Sequence, residues 1–306
     1  MLAGTIADAG ASKLLLSHEI VGEIMKQLSE IVISLMFVGA LTTPVTMACA
    51  QDDDKTTTPR APVPVQSTIH HYFSKDTHRH DAEWSYSGKQ GPAFWGTLSP
   101  KYHLATDGQK QSPIDICRGD VVESDLPALK FRYRSERLSI VNNGHTIQHN
   151  EHPGSFLQVG KQVYVLEQFH VHVPSEHTID GKHADMEIHF VHKSLTGHIV
   201  VVAVLADAGT DEPVEIPVHI RLPQTVNAVV EPTQSRNPTD FIPTDHRYVT
   251  YSGSFTTPPC SEGVRWIVMN SPIQIASSTL ARFRQTLGRN IRPVQPLHGR
   301  EVAISP

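Results

Sequence analysis

Cysteine is scarce: the 306 residues hold three, Cys49, Cys117 and Cys260. They are too few and too far apart to build a cysteine-rich structural zinc site. A basic excess is missing as well, since 26 Lys and Arg stand against 31 Asp and Glu, a formal net charge of -5. General nucleic-acid binding, which normally needs a basic stripe, is therefore set aside. Internal repeats are absent and helical patterns are few. The longest apolar stretch is short and interrupted by Thr42, Thr43 and Pro44, which disfavours a membrane-spanning helix. Histidine, by contrast, is in surplus, with 19 residues. It is the commonest metal ligand and the side chain that titrates near neutrality, so its placement decides what the surplus means.

Residues 1–24 show no clear targeting pattern and read as an over-extended start. From Met25 the layout changes: a basic Met25-Lys26, an apolar run over 31–40, then Ala48-Cys49-Ala50 before an acidic stretch. This is the three-part form of a signal peptide over residues 25–50, with cleavage after Ala50. The expected location is periplasmic or extracellular. A lipid on Cys49 or an uncleaved anchor is the alternative, which would attach the chain to a membrane. Residues 51–81 form a Pro/Thr-rich linker and a segment with His70, His71, His78 and His80, read as a solvated tail. Residues 82–306 read as one domain.

That domain is predicted to be predominantly β (α+β): one large, mostly antiparallel central sheet with short peripheral helices. Alternating or β-branched runs recur over 138–142, 155–159, 162–173, 186–191, 199–205 and 264–269, punctuated by Gly, Pro and Asn. The continuously apolar run over 199–205 suits a strand buried on both faces. The best helical signal spans 277–287, opened by Ser and closed by Gly288.

Within this β text, Gln168-Phe169-His170-Val171-His172 puts two imidazoles on one face of a strand. In Glu187-Ile188-His189-Phe190 the same alternation aligns Glu187 with His189. If the two strands are neighbours, three imidazoles converge. Three nitrogen ligands leave the fourth tetrahedral position open, as a catalytic zinc requires. Gln168 and Glu187 share the ligands' face and can accept from their second ring nitrogens. Phe169, Val171, Ile188 and Phe190 point the other way. A His-x-His pair alone is weak, because paired surface histidines are common.

At this point the residues resemble the α-class carbonic anhydrases. The resemblance runs in family order through Trp84-Ser85-Tyr86, Gly91-Pro92-x-x-Trp95, Gln111-Ser112-Pro113-Ile114-Asp115-Ile116 and Asn142-Asn143-Gly144-His145. It continues through both histidine strands, Ser175-Glu176-His177-Thr178, Ser254-Phe255-Thr256-Thr257-Pro258-Pro259 and Arg292-Pro293-x-Gln295-Pro296-Leu297. It implies an enzyme that reversibly hydrates carbon dioxide to bicarbonate and a proton, by attack of zinc-bound hydroxide. This family is the standard instance of zinc lowering its water's pKa to about 7.

The resemblance implies that His170, His172 and His189 bind zinc, with Gln168, Glu187 and Asn290 supporting them. Thr256 and Glu176 would orient the attacking hydroxide. His145 would shuttle the proton along waters ordered by Tyr86, Asn143 and Gln148. Val191, Val201, Phe255, Thr257, Val264 and Trp266 would shape the substrate pocket; Phe255 stands where many members have Leu. Cys260 falls where exported members carry half of a disulfide. The usual partner precedes the Gln-Ser-Pro motif, whereas Cys117 follows it; a Cys117–Cys260 bridge is compatible with export. The implied partner is a small-molecule substrate, and a homodimer is left open. Among rivals, a non-enzymatic recognition module on the same fold would be expected to lack a ligand histidine. A cupin-like iron oxygenase would not explain Thr-Thr-Pro-Pro, and a metal buffer would reside in the His70–His80 tail.

Overall fold

The computed structural model describes residues 82–209 and 222–306. The expected signal segment, the lipid site and the His70–His80 tail lie outside the described residues. Among the described residues, no helix is long and apolar enough to cross a membrane.

The apolar run begun at Ile199 becomes the strand Ile199–Gly209, deep inside a sheet of 13 strands. On one side it pairs antiparallel with Met186–Lys193, which pairs antiparallel with Gln162–His172, then Ile147–Asn150 and Ile140–Asn142. On the other side it pairs parallel with Glu262–Met269, which pairs antiparallel with Tyr248–Ser254. Most pairings are antiparallel, as predicted. Within this sheet the parallel ones are Ile199–Gly209 with Glu262–Met269 and with Ile273–Ala276, and Ala303–Ile304 with Val122–Glu123.

Period-2 alternation divides the interior into two cores, one on each face of the sheet. Val200, Val202 and Val204 join Ile188, Phe190, Val171 and Ile267 in the larger core. Val201 and Ala203 join Val191, Trp266, Val268 and Tyr251 in the smaller. Val202, Ala203 and Val204 are each 0% exposed, which confirms a strand buried on both faces.

The strand Gln162–His172 departs from strict alternation. Opposite Val191 and His192 the pairing jumps from Gln168 to Leu166, so Glu167 is an extra, bulged residue. Beyond it the phase reverses: Tyr164 and Leu166 enter the larger core, although their even numbers would otherwise align them with Gln168 and His170. The bulge divides the strand between two neighbours, Phe156–Val159 along its outer half and Ile147–Asn150 along its inner half.

Short helical turns fill the region before the sheet, among them Trp95–Leu98 and Leu104–Asp107. The longer helix is Ser277–Leu287, closed by Gly288 at φ 63, a conformation glycine adopts without a Cβ penalty. Its N-cap is Ala276 rather than Ser277, and no side chain caps it.

The Cys117–Cys260 bridge is not formed, which corrects the sequence expectation: both thiols are free. Cys117 follows the strand Asp115–Ile116, in a small separate sheet with Thr178–Ile179, and turns its thiol to Asp115 Oδ2 at 3.4 Å. Cys260 is 0% exposed, in the turn after Thr257 whose chain folds inward. Burial pushes its thiol up to about 11, leaving it protonated.

Candidate functional site

Strands Gln162–His172 and Met186–Lys193 pair with His189 opposite His170 and Glu187 opposite His172. This register brings the three imidazoles together: the ring centroids of His170 and His172 are 5.0 Å apart, those of His172 and His189 4.6 Å. One nitrogen from each of His170, His172 and His189 lies within 4.8 Å of the others.

Every ring is held by its other nitrogen. His170 Nδ1 is 2.8 Å from Gln168 Oε1, and His172 Nδ1 is 2.8 Å from the Asn290 carbonyl oxygen. His189 Nε2 is 2.7 Å from Glu187 Oε1. Acceptors at these positions make the contacting nitrogen the protonated one, leaving His170 Nε2, His172 Nε2 and His189 Nδ1 as free lone pairs. His172 is 1% exposed, and its Nε2 has no hydrogen-bond partner. Such a buried orphan is costly unless something fills the site. Burial lowers the pKa of all three histidines, that of His172 to about 4 despite its bond to Asn290, so they are neutral at pH 7. Zinc chemistry fits this donor set: three nitrogens and one open position.

Glu187 is held in turn. Its Oε2 accepts the backbone N–H groups of Glu176 and His177, each at 2.8 Å, and its Oε1 also faces His177 Nδ1 at 2.6 Å. Burial acts to raise its pKa, but the His177 and His189 contacts hold it well below the usual carboxylate range. From His177 the chain of bonds continues to the Tyr251 hydroxyl at 2.7 Å, which donates to Ser112 Oγ at 2.9 Å.

Glu176 is 0% exposed, and its Oε1 accepts from the Arg292 N–H at 2.8 Å. Burial pushes this carboxyl up to about 7, opposed by nearby His189, the Arg292 amide and the Thr256 hydroxyl. Its Oε2 makes no hydrogen bond of good geometry and lies 3.6 Å from His172 Nε2. Asn290 contributes more than its carbonyl, because its amide also bonds the backbone at Val171, Val173 and His145.

One cleft brings these groups together, lined by the three histidines, Gln168, Thr256, Thr257 and the apolar Val191, Val201, Phe255 and Trp266. Val264 is not on this surface; it is 1% exposed and packs in the smaller core behind it. Farther along the same cleft are Tyr86, Asn143, His145 and Gln148. Asn143 Oδ1 accepts from the His145 N–H, and its amide donates to Gln148 Oε1 at 3.2 Å. Tyr86 presents a hydroxyl with no protein partner.

Three residues given no site role from the sequence matter here. Trp84 stacks on His145 with centroids 3.7 Å apart and planes at 8°. His177 anchors Glu187, and Thr146 lines the cleft beside His145. Trp84 and His177 lie in segments that carried the family resemblance, which was the available signal. Thr146 offered none beyond adjacency to His145.

Residues 90–306 match the family of eukaryotic-type carbonic anhydrases. A carbonic anhydrase from a Nostoc species is 42% identical over 234 residues, spanning 72% of this chain and 84% of that protein. One from Pectobacterium carotovorum is 38% identical over 218 residues, 71% of this chain and 88% of the relative. Among solved structures, the α-carbonic anhydrase of Thermovibrio ammonificans, in complex with the inhibitor sulfanilamide, is similar at a TM-score of 0.71. Its identity is 42%, and the match covers 73% of this chain and all of that one.

Proposed function

Because the chain belongs to the α-carbonic anhydrase family and is an enzyme of carbon dioxide hydration, we propose that His170, His172 and His189 hold its zinc and His145 relays its proton. When bound, zinc supplies the Lewis acidity that makes water a nucleophile near pH 7, for which carbonic anhydrases are the standard instance. The observation that carries the reading is the set of three imidazoles, each fixed by an acceptor on one nitrogen and converging with the other.

The remaining work falls to the chain's own side chains. Thr256 has one proton to give. Donated to Glu176, it leaves only lone pairs toward the cleft, so the attacking oxygen must spend its own proton on Thr256 and present a lone pair to substrate. Val191, Val201 and Trp266 offer carbon dioxide an apolar wall, where a molecule without hydrogen-bond needs displaces water readily. His145 takes the proton released and passes it to solvent, with Tyr86, Asn143 and Gln148 ordering waters on the way. We further propose export through residues 25–50.

Stopped-flow carbon dioxide hydration by the chain, with and without a chelator, tests the assignment beside His172→Ala. Loss of a group behind a metal ligand costs about 10–100-fold, so loss of the ligand itself should exceed about 100-fold. Hydration that survives both treatments would remove the three histidines from the reaction.

A further inference from the structure

A second convergence of metal-type donors lies across the sheet from the cleft. In Ile147–Asn150, Gln148 pairs with His170 and faces the cleft, so the next residue, His149, faces away. Its side chain is 2% exposed. Its Nδ1 is 2.8 Å from the Ser139 carbonyl oxygen, which can only accept, so Nδ1 carries a proton and Nε2 is the nitrogen offered to its surroundings. Nε2 stands 2.8 Å from Glu136 Oε1 and 3.2 Å from Glu151 Oε2. The rim is formed by His152, 74% exposed, with Nδ1 2.9 Å from Glu136 Oε2.

Glu151 supplies the independent observation. Its side chain is 1% exposed, its Oε1 accepts from the Ser155 hydroxyl, and its Oε2, aimed at His149, has no hydrogen-bond partner. A buried carboxylate oxygen left without a donor is expensive. A proton on His149 Nε2 can point at one carboxylate, and Glu136 is the nearer. A cation would engage all three atoms at once. Bonds of about 2.1 Å separate neighbouring ligands by about 3.0 Å in an octahedron and about 3.4 Å in a tetrahedron. The observed 2.8 and 3.2 Å lie near those edges.

We propose that Glu136, His149 and Glu151 form a second divalent-metal site, which takes a first-row transition ion such as zinc. The imidazole argues against calcium and magnesium, which prefer oxygen alone, and for zinc or its neighbours. Burial by itself depresses the His149 pKa, yet contacts with Glu151, Ser139 and Glu136 raise it overall, so the cluster already attracts positive charge. Where Nε2 carries a proton, metal entry replaces it. The ion binds Nε2 and two carboxylate oxygens, one proton leaves to solvent, and the cluster goes from net -1 to neutral. The ion would tie Glu136–Arg137 to the end of Ile147–Asn150, acting as a structural clamp remote from the reaction.

The test uses the full chain with His70, His71, His78 and His80 replaced by Asn, so that the tail adds no metal. The protein is stripped with chelator, reloaded with zinc and desalted, and zinc per chain is read by elemental mass spectrometry. Two per chain are expected in this background. One is expected in Glu151→Gln, with carbon dioxide hydration retained as the sign of an intact fold and first site. His172→Ala should also hold one, lost when Glu151→Gln is added, which separates failure here from failure of the catalytic assignment. Should Glu151→Gln not fold, Glu136→Gln, whose side chain is partly exposed, reads the same loss. Equal zinc content with and without either carboxylate would overturn the proposal.

Discussion

His145 lies flat against Trp84, and burial there lowers its pKa below the ordinary histidine value. Trp84→Ala uncovers the ring, so its pKa should rise toward about 6.5. In dilute buffer, the pH profile of turnover should move to higher pH. Saturating buffer, which bypasses the shuttle, should hide the change. An unmoved profile would mean that His145 does not limit proton release. At this scale the sequence was informative wherever side-chain identity does the work. His170 and His172 were legible because a two-residue spacing in a strand leaves little choice of face. Asn290 was harder to read, because what it offers His172 is a backbone carbonyl that any residue possesses. The cysteines misled because a thiol's identity says nothing of distance.

The strands Tyr248–Ser254 and Glu262–Met269 hold the apolar wall in place through a close approach at Gly253. A Cβ there would meet Ser112 Oγ at 2.1 Å, Trp266 Cδ1 at 2.8 Å and Tyr251 Cε2 at 2.9 Å. Gly253→Ala should therefore cost about 1–3 kcal/mol, as overpacking does, and displace Trp266 from the cleft. Urea unfolding measures the first effect. A midpoint equal to wild type would show that the strand pair yields freely. The strands around the site were legible as elements to within a few residues, because alternation and β-branching run through them. Their pairing was not, since the parallel partnership of Ile199–Gly209 with Glu262–Met269 joins segments far apart in the chain. Helix Ser277–Leu287 was legible to both ends, with glycine marking its stop.

Across the whole molecule, buried histidines set the response to acid. His192 is 0% exposed, with Nε2 2.7 Å from the Tyr133 hydroxyl, and burial lowers its pKa to about 3. An unfolded chain binds that proton near pH 6.5, so stability falls as pH drops from about 6.5 toward 3, at up to about 1.4 kcal/mol per unit from this residue alone. His149, where it holds no metal, works in the opposite sense. Its raised pKa contributes stability fully below about 6.5 and loses it as pH rises through the folded-state value. Urea midpoints of the zinc-loaded protein between pH 7.5 and 5 should fall, and His192→Leu should flatten that slope even though it weakens the fold at every pH. An unchanged slope would assign acid sensitivity to other groups.

The bulge at Glu167 bears on how such a chain can vary. Glu167 is only half-buried, and what its place contributes is one unit of length, which turns Leu166 inward on one side of the sheet while Gln168, His170 and His172 face the other. Position 167 is thus tolerant of which residue occupies it and intolerant of whether a residue occupies it at all. Deleting it would pit two preferences of one strand against each other, since a single phase cannot serve both the core and the cleft-facing Gln168, His170 and His172. Substitutions there are inherited cheaply, and indels are not.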